Sequence, residues 1–499
     1  MEKELMTRCG LCSILLLSVF GCAVGPDFVR PEAPKTDRYT REAEPEATIT
    51  ADGRAQRFEP GNTVVADWWR LFNSSKLDTV IQEALANNPG IQAAQASLRQ
   101  SQDNLRAGYG VFYPQIDASF DATRQKLSQA RFGGNAANSA IFNLYTLSGT
   151  VSYALDVFGA NRRAVESLRA QVDFQRYIVL GTYLALTGNI ANTVIARAAY
   201  HEEIKATEQI IALETEQITI AEAQAEAGTV PYSGVLSLRT QLAATEATLP
   251  QLRQKLNQAD HLLATLAGHA PSEWTSPSIA MADLRLPADL PISLPSQLVR
   301  QRPDILAAEA QLHNASAEIG VATAKLFPSF TLSGSYGQNN SAIHDLFVAG
   351  SNFWSLGANV TAPLFHGGTL WFQRKAAIEA YQQSLATYRQ TVLSSFAQVA
   401  DTLRALGYDA KTLEAQSQAF RTAEEALRLI QANYQAGIVN YLQMLIANSQ
   451  YQQARIGYLQ AKAQRLQDTA ALFVAIGGGW WNEKQSQPIV TPTGTLSPN

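Results

Sequence analysis

The chain contains one unit of about 200 residues twice, and this internal duplication restricts its possible folds more than any other feature. Residues 87–117, NNPGIQAAQASLRQSQDNLRAGYGVFYPQID, resemble residues 301–331, QRPDILAAEAQLHNASAEIGVATAKLFPSFT. Four pairs of residues occupy equivalent positions in the two halves: Pro89 with Pro303, Pro114 with Pro328, Gly228 with Gly437, and Gly268 with Gly477. We therefore expect each half to contain the same elements in the same order: a helix, two strands, a long helix, a tight turn and another long helix.

Two segments in each half alternate apolar and polar residues. The alternation covers 115–123 (QIDASFDAT) and 146–158 in the first half, and 330–336 and 354–364 in the second. A period of two predicts strands with one apolar and one polar face, which a half-buried soluble sheet would also show. Segments of about 10 residues are long enough for tilted strands to cross a membrane, so we favour membrane strands.

The polar faces of these strands are expected to line a water-filled lumen, while the apolar faces contact lipid. The residues predicted to face the lumen are Asp117, Asp121, Ser152, Asp156, Thr331, Ser333 and Asn359. Four strands cannot close a pore, because bacterial barrels have at least about 8 strands and open edges are not tolerated in lipid. Three copies of the chain would supply about 12 strands.

The rest of each half is predicted to be helical. Residues 160–227 and 367–436 lack proline and are rich in strong helix formers, so each is expected to form a helix about 100 Å long. Residues 235–266 carry apolar side chains at steps of three and four, which predicts a heptad seam for packing against other helices. Pro250 interrupts this seam and should bend the helix or cost it a hydrogen bond.

The N-terminus predicts export and lipidation. Residues 10–21 are almost wholly apolar and too short for a membrane helix, and Gly21 precedes Cys22 as in bacterial lipoprotein signals. We expect Cys22 to become the acylated (palmitate-bearing) N-terminus; an ordinary cleaved signal with a stray thiol is the alternative. Cys9 and Cys12 lie in the removed segment, which excludes a disulfide scaffold.

The amino-acid composition excludes further classes of protein. Lys and Arg number 39 against 43 Asp and Glu, which gives no electrostatic basis for nucleic acid binding. No stretch after residue 21 looks long and apolar enough for a membrane helix, so entry into a bilayer would require a closed barrel. The predicted segments are a signal peptide at 1–21, a lipidated extended segment at 22–67, repeats at 68–269 and 296–481, a connector at 270–295 and a disordered tail at 482–499.

Four motifs together resemble the outer membrane efflux protein family, in its TolC-like, NodT-type lipoprotein branch. They are CAVGPDFVRPEAP after the signal, the two AG[TI]V turns, the paired YP and FP strand starts, and the closing ALFVAIGGGWW, and the resemblance covers about residues 22–481. It implies a mainly α chain that contributes four strands to a trimeric 12-stranded β-barrel in the outer membrane, continued by a periplasmic α-helical coiled-coil barrel. The implied partners are a homotrimer, outer-membrane lipid, a periplasmic adaptor (membrane fusion) protein and an inner-membrane efflux pump of the RND type.

The resemblance also implies a gate at the periplasmic helix tips. It places Gly228 and Gly437 in the turns where the pore narrows and adaptor or pump contacts are made. The constriction would be formed by Leu442, Ile446, Ser233 and Ser237. Family members often carry an acidic ring here, but this chain has no Asp or Glu between Glu425 and Asp468, so we predict a hydrophobic gate that closes by dewetting. Simple helix packing by Leu442 and Ile446 is the alternative.

The sequence shows no catalytic, cofactor or metal motif, so we expect no enzyme. The histidines lie in no recognised ligand spacing. Two other functions remain open: an exit duct for protein or peptide secretion, and a structural coiled-coil lipoprotein without a pore. The second has no use for four amphipathic strands, and the sequence does not name the cargo.

Overall fold

The computed structural model describes residues 23–42, 45–62, 64–126 and 141–482. Its main helices are α1 (Ser75–Asn87), α2 (Pro89–Tyr109), α3 (Ala160–Glu226), α4 (Tyr232–Ala267), α5 (Pro303–Ala324), α6 (Thr369–Gln435) and α7 (Tyr441–Ala475). Its strands are β1 (Arg57–Pro60), β2 (Gln115–Lys126), β3 (Ile141–Leu155), β4 (Asp289–Ile292), β5 (Ser329–Asn340) and β6 (Asn352–Thr361). Each half therefore contains the predicted sequence of helix, two strands, long helix, turn and long helix.

The chain forms two compact units. The first consists of the chain up to Arg30 together with Ser97–Gln175 and Ala308–Tyr388, and the second consists of Pro31–Ala96, Arg176–Ala307 and Arg389–Asn499. Each unit thus takes segments from both sequence halves. The division into two sequence repeats remains a proposal, since a repeat in sequence and a compact unit in space are different partitions.

The first unit is built on one antiparallel sheet in the order β2-β3-β5-β6. Cross-strand pairs run continuously through it, for example Gln115 with Ser152, Ser152 with Ser333, and Ser333 with Gly357. Within the described residues, β2 and β6 each have a neighbour on one side only. Three of the strands have 12 to 15 residues and β6 has 10, which is enough for each to cross a bilayer at a tilt.

The second unit has an aromatic core. Trp68, Trp69 and Phe72 are fully buried, and the Trp68 ring stacks on Phe473 with 5.5 Å between centroids. The indole N–H of Trp69 donates to Asp78 at 2.9 Å. A short parallel pair of β1 with β4 also lies in this unit, and neither four-residue strand shows an alternation by which it could be predicted.

The heptad seam of α4 is confirmed. Its apolar positions are buried or half-buried, and Val235, Leu238 and Leu263 are among the most buried residues of the helix. The positions between them are mostly exposed. Pro250 lies inside α4, which continues to Ala267.

The expectation that no segment beyond residue 21 could pass for a membrane helix is wrong by length and composition. Helix α3 contains an 18-residue window apolar enough to cross a bilayer. However, 56% of that window is buried within the protein, as in the core helix of a soluble domain. The window therefore reflects core packing in α3 as readily as contact with lipid.

Candidate channel wall and helix-tip gate

One face of the sheet is apolar and exposed. Residues directly opposite one another in an antiparallel pair share a face, so the register aligns Ile116, Val151 and Leu356, and beside them Tyr336 and Trp354. Leu356 is 81% exposed and Trp354 is 70% exposed in the single chain. Soluble monomers rarely expose apolar patches of this extent, whereas lipid-facing barrel strands require them.

The opposite face carries the predicted polar residues. The same register places six of the seven predicted lumen residues on one common face: Asp117, Asp121, Ser152, Thr331, Ser333 and Asn359. Serines also pair across the strands, with 3.1 Å between the hydroxyls of Ser119 and Ser148 and 2.7 Å between those of Ser335 and Ser355. The sheet therefore has one wet and one apolar surface, and whether the wet one lines a lumen stays a prediction.

Asp156, the seventh predicted lumen residue, does not belong to the strand, so that placement is wrong. Strand β3 ends at Leu155. The Asp156 carboxylate accepts hydrogen bonds from the backbone N–H groups of Asn161 and Arg162 at 2.9 and 3.0 Å, and it pairs with the Arg162 guanidinium at 3.2 Å. A carboxylate at this position satisfies the free N–H groups of the first turn of α3, which explains why an acidic residue directly follows the strand.

Large apolar side chains also lie exposed where β6 leads into α6. Leu364 and Phe365 are 94% and 89% exposed, and Trp371 and Phe372 are exposed as well. The guanidinium of Arg374 lies 5.9 Å from the centre of the Trp371 ring. Aromatic residues flanked by basic groups are typical of the boundary between a membrane and water.

The two helix–helix turns have the expected glycine geometry. Gly228 and Gly437 have φ values of +74° and +73°, which residues with a side chain rarely adopt. At the second turn the N–H of Ile438 donates to the Asn433 carbonyl at 2.9 Å, and the first turn makes the same bond from Thr229 to Gln224. These six-to-one bonds close both helices in the same way. The role of the tips in docking stays a prediction.

The predicted gate residues lie on exposed faces beside these turns. Leu442 and Ile446 are 51% and 49% exposed and stand one helical turn apart on α7. Their neighbours Met444 and Ala447 are buried and hold α7 in place. Ser233 and Ser237 on α4 are also exposed, as residues of a gate would have to be. About half of each side chain is covered within the single chain, so simple helix packing by Leu442 and Ile446 stays the alternative.

Buried polar contacts support the tips from behind, and sequence reasoning missed them. The Asn448 amide donates to Gln217, and the Thr245 hydroxyl donates to Glu214 at 3.2 Å, with all four side chains buried. Burial raises the pKa of Glu214 above its ordinary value. The signal available in the sequence was a polar residue at a seam position, namely Thr245.

A carboxyl pair links α6 and α7. Asp409 lies beside Asp468, and burial together with the neighbouring carboxylate raises the pKa of Asp409 to about 7. The guanidinium of Arg465 is fully buried nearby and donates to Gln56 at 3.0 Å and to Thr48 at 3.1 Å. Near neutral pH the pair therefore holds a shared proton part of the time.

The segment that follows the predicted lipidation residue is held in place within the first unit. The N–H of Val24 donates to the Phe158 carbonyl at 3.0 Å, and the guanidinium of Arg163 pairs with Asp27 at 2.7 Å. A side chain on Gly25 would lie 2.5 Å from the backbone of Gly320, so the approach requires glycine. Cys22 itself lies outside the described residues, as does the signal peptide.

Two other predictions are limited by the range of the described residues. Among these residues no group of three or more His, Cys, Asp or Glu side chains could hold a metal ion. The predicted tail at 482–499 falls outside them except for Asn482. The Asn482 amide donates to the Val64 carbonyl at 2.7 Å, so this first residue is anchored and is not part of a disordered tail.

Comparison with known proteins supports the interpretation of the sheet as part of a channel wall. Residues 80–269 and 294–478 match the family described as outer membrane efflux protein. The chain is 31% identical over 483 residues to the pyoverdine export outer membrane protein OpmQ of Pseudomonas aeruginosa, covering 95% of this chain and 97% of that protein. It is 28% identical over 477 residues to the solvent efflux pump outer membrane protein SrpC of Pseudomonas putida, covering 93% of this chain and 97% of that one.

A solved structure shares the fold. The outer-membrane channel OprN superposes with a TM-score of 0.83 at 26% identity, covering 92% of this chain and all of that one. The predicted fold class, mainly α with barrel strands contributed by each chain, is thereby confirmed, and so is the predicted function of an outer-membrane component of an efflux system. The chain belongs to the outer membrane efflux protein family.

Proposed function

We propose that three copies of this chain form a duct across the outer membrane, through which a tripartite system exports drugs or other small solutes. The observation that carries this proposal is the four-stranded sheet with one apolar face, one polar face and two unpaired edges. An open edge is not stable in lipid, so sheets from separate chains must join until they close. Three sheets of four strands give about 12, which is within the range of bacterial barrels.

The duct is anchored by its N-terminus. Acylation of Cys22 would add a lipid anchor beside the sheet, because the next residues are fixed at Phe158, just beyond the end of β3. The family resemblance implies that the strands cross the outer membrane and that the helix tips at Gly228 and Gly437 face the periplasm. A periplasmic adaptor and an inner-membrane pump of the RND type dock at these tips.

The tips also hold the gate. Leu442 and Ile446 from each chain form an apolar ring that excludes water and ions at rest. The absence of acidic residues between Glu425 and Asp468 supports a ring that closes by dewetting and does not bind cations. The exposure of both side chains in a single chain leaves them available for contact across the three-fold axis.

Ile446→Ala tests the gate in purified protein reconstituted into planar bilayers. The variant removes three carbon atoms from the Ile446 side chain of each subunit and so widens the ring. Single-channel conductance or open probability should therefore rise several-fold. Leu262→Ala is the matched control, since Leu262 is equally exposed on α4 and lies far along the helix from the turn. Conductance unchanged in the Ile446 variant would refute the gate, while a complete lack of conductance in the parent would refute the duct.

Cargo choice belongs to the pump in this proposal. The relatives act in export of pyoverdine and efflux of solvent, which differ widely in polarity. A strain lacking this chain should accumulate the same solutes as a strain lacking its partner pump. Accumulation of secreted proteins instead would favour the exit duct of a secretion system.

A further inference from the structure

The apolar face of the sheet contains a groove that the channel function does not use. A concavity of about 580 Å³ opens between the side chains of that face. Its lining residues are Pro114, Gly149, Val151, Tyr153, Leu332, Gly334, Tyr336, Trp354 and Leu356, together with the serines Ser333, Ser335 and Ser355. Its floor exists because Gly149 and Gly334 lie diagonally across β3 and β5 and provide no side chains where their neighbours provide large ones.

The groove suits a long hydrocarbon chain. Its walls are tyrosine, tryptophan and leucine side chains, and its surface is mostly apolar. The volume falls within the range of about 300–1,000 Å³ found for ligand sites. A flat strand face would meet lipid with no such recess, so the two glycines create a defined place for one apolar chain.

The groove begins close to the point where the described N-terminus is held. Val24 is bonded to Phe158, whose ring lies 6.5 Å from the ring of Phe330. Phe330 pairs with Leu155 on the apolar face, two residues before Leu332 in the groove. These contacts place the start of the described chain beside the end of the apolar face on which the groove lies.

We propose that this groove holds an acyl chain attached to the protein's own N-terminal Cys22. The inference rests on the acylation of Cys22 proposed above. From Phe330 to Tyr336 the strand rises about 20 Å, comparable with the length of an acyl chain in one leaflet of a core about 30 Å thick. Bulk lipid would be free to leave the groove, whereas a chain tethered at residue 22 is kept beside it at high effective concentration.

Holding the acyl chain against the sheet gives it a role beyond attachment. The chain fills the recess in the barrel wall and joins strands β3, β5 and β6 through apolar contact. Ala23 lies against Gly159, so the peptide link to the anchor is also short and fixed. The anchor becomes part of the channel wall.

A photoactivatable, clickable fatty acid supplied to cells that make the full chain tests the groove. After irradiation, mass spectrometry of the digested protein should find the peptide beginning at residue 22 joined through the fatty acid to peptides containing Tyr336 or Trp354. Gly149→Leu fills the groove and should lower the yield of this joined product several-fold. There is room for the new side chain, because the nearest atom to an added Cβ at Gly149 is 3.9 Å away.

Ala122→Leu is the matched control, since it also introduces a leucine on the same apolar face, outside the groove lining. It should leave the yield unchanged, and both variants should retain the conductance of the parent. Groove peptides modified only by phospholipid, or no joined product when intact mass shows acylated Cys22, would overturn the proposal. An intact mass without an acyl group would instead refute lipidation itself, and conductance would report on the duct independently.

Discussion

At the scale of single residues, the helices place ionisable groups in two different ways. No acidic residue occurs between Glu425 and Asp468, so no carboxylate neighbours Leu442 or Ile446 along α7. Where α6 packs near α7, Asp409 and Asp468 share a partly buried site. The first arrangement serves the proposed gate, and the second makes stability depend on pH.

We expect Asp409→Asn to stabilise the protein at pH 8 and to change it little at pH 4. The folded pKa of Asp409, about 7, lies above the unfolded value near 3.8, so the folded state binds the proton more tightly. Stability contributed by the protonated form is present below pH 4 and is lost as pH rises through about 7. The variant removes this loss, which amounts to about 1–3 kcal/mol.

Thermal unfolding of the detergent-solubilised protein between pH 4 and pH 8 measures this effect. Asp401→Asn removes the same charge from an exposed position on α6 and should follow the parent curve. If Asp409→Asn and the parent lose stability equally as pH rises, the carboxyl pair does not titrate in this range.

At the scale of elements, the periodic patterns allowed accurate prediction. Strict alternation identified the four strands of the sheet, and the proline-free runs 160–227 and 367–436 correspond within two residues to α3 and α6. The steps of three and four in 235–266 identified the buried face of α4. These features repeat over many residues, so each element is specified by several side chains together.

Boundaries and unpatterned contacts escaped prediction. Asp156 continues the alternation of β3 in sequence, yet it caps α3, because the free N–H groups of a helix start compete for a carboxylate. The pairing of β1 with β4 depends on residues far apart in the chain and on strands of four residues, too short to show a period. The recess forms because Gly149 on β3 and Gly334 on β5 both lack side chains. The two glycines lie in different segments of the chain, so neither segment alone predicts the recess.

The turn glycines give the prediction for this scale. Gly437→Ala should loosen the turn between α6 and α7, because alanine at a φ of +73° costs about 1–2 kcal/mol. Amide hydrogen exchange of peptides covering 433–444 should accelerate about tenfold, since 1.4 kcal/mol corresponds to a factor of ten. Gly407→Ala, in open space inside α6, should slow exchange or leave it unchanged. Equal effects at the two sites would mean that backbone conformation does not set the stability of the tip.

At the scale of the whole molecule, the two unpaired edges make assembly the condition for function. Strand β2 of one chain should pair with β6 of the next, since these are the strands with a free side in the described sheet. Cysteines introduced in a Cys22→Ser background, made with a cleavable non-lipoprotein signal, offer a direct test. Phe120→Cys combined in turn with cysteine at positions 352–360 should give at least one pair that crosslinks chains into trimers under oxidation.

Single-cysteine variants serve as the control and should give at most dimers. Trimers should be the largest product, because three sheets close the ring. Ladders extending beyond three chains would indicate an open or larger assembly, and exclusively monomeric protein would contradict closure between chains.

The exposed apolar face of the sheet also has a consequence for biogenesis. A single subunit in the aqueous periplasm offers no apolar environment for side chains such as Leu356 and Trp354. It therefore cannot reach its final structure before it contacts both the other subunits and the bilayer. Insertion and oligomerisation are then a single event whose rate climbs steeply with the number of newly exported copies. A modest fall in synthesis would consequently deplete working channels by more than the fall itself and leave a surplus of unfinished chains for periplasmic chaperones and proteases.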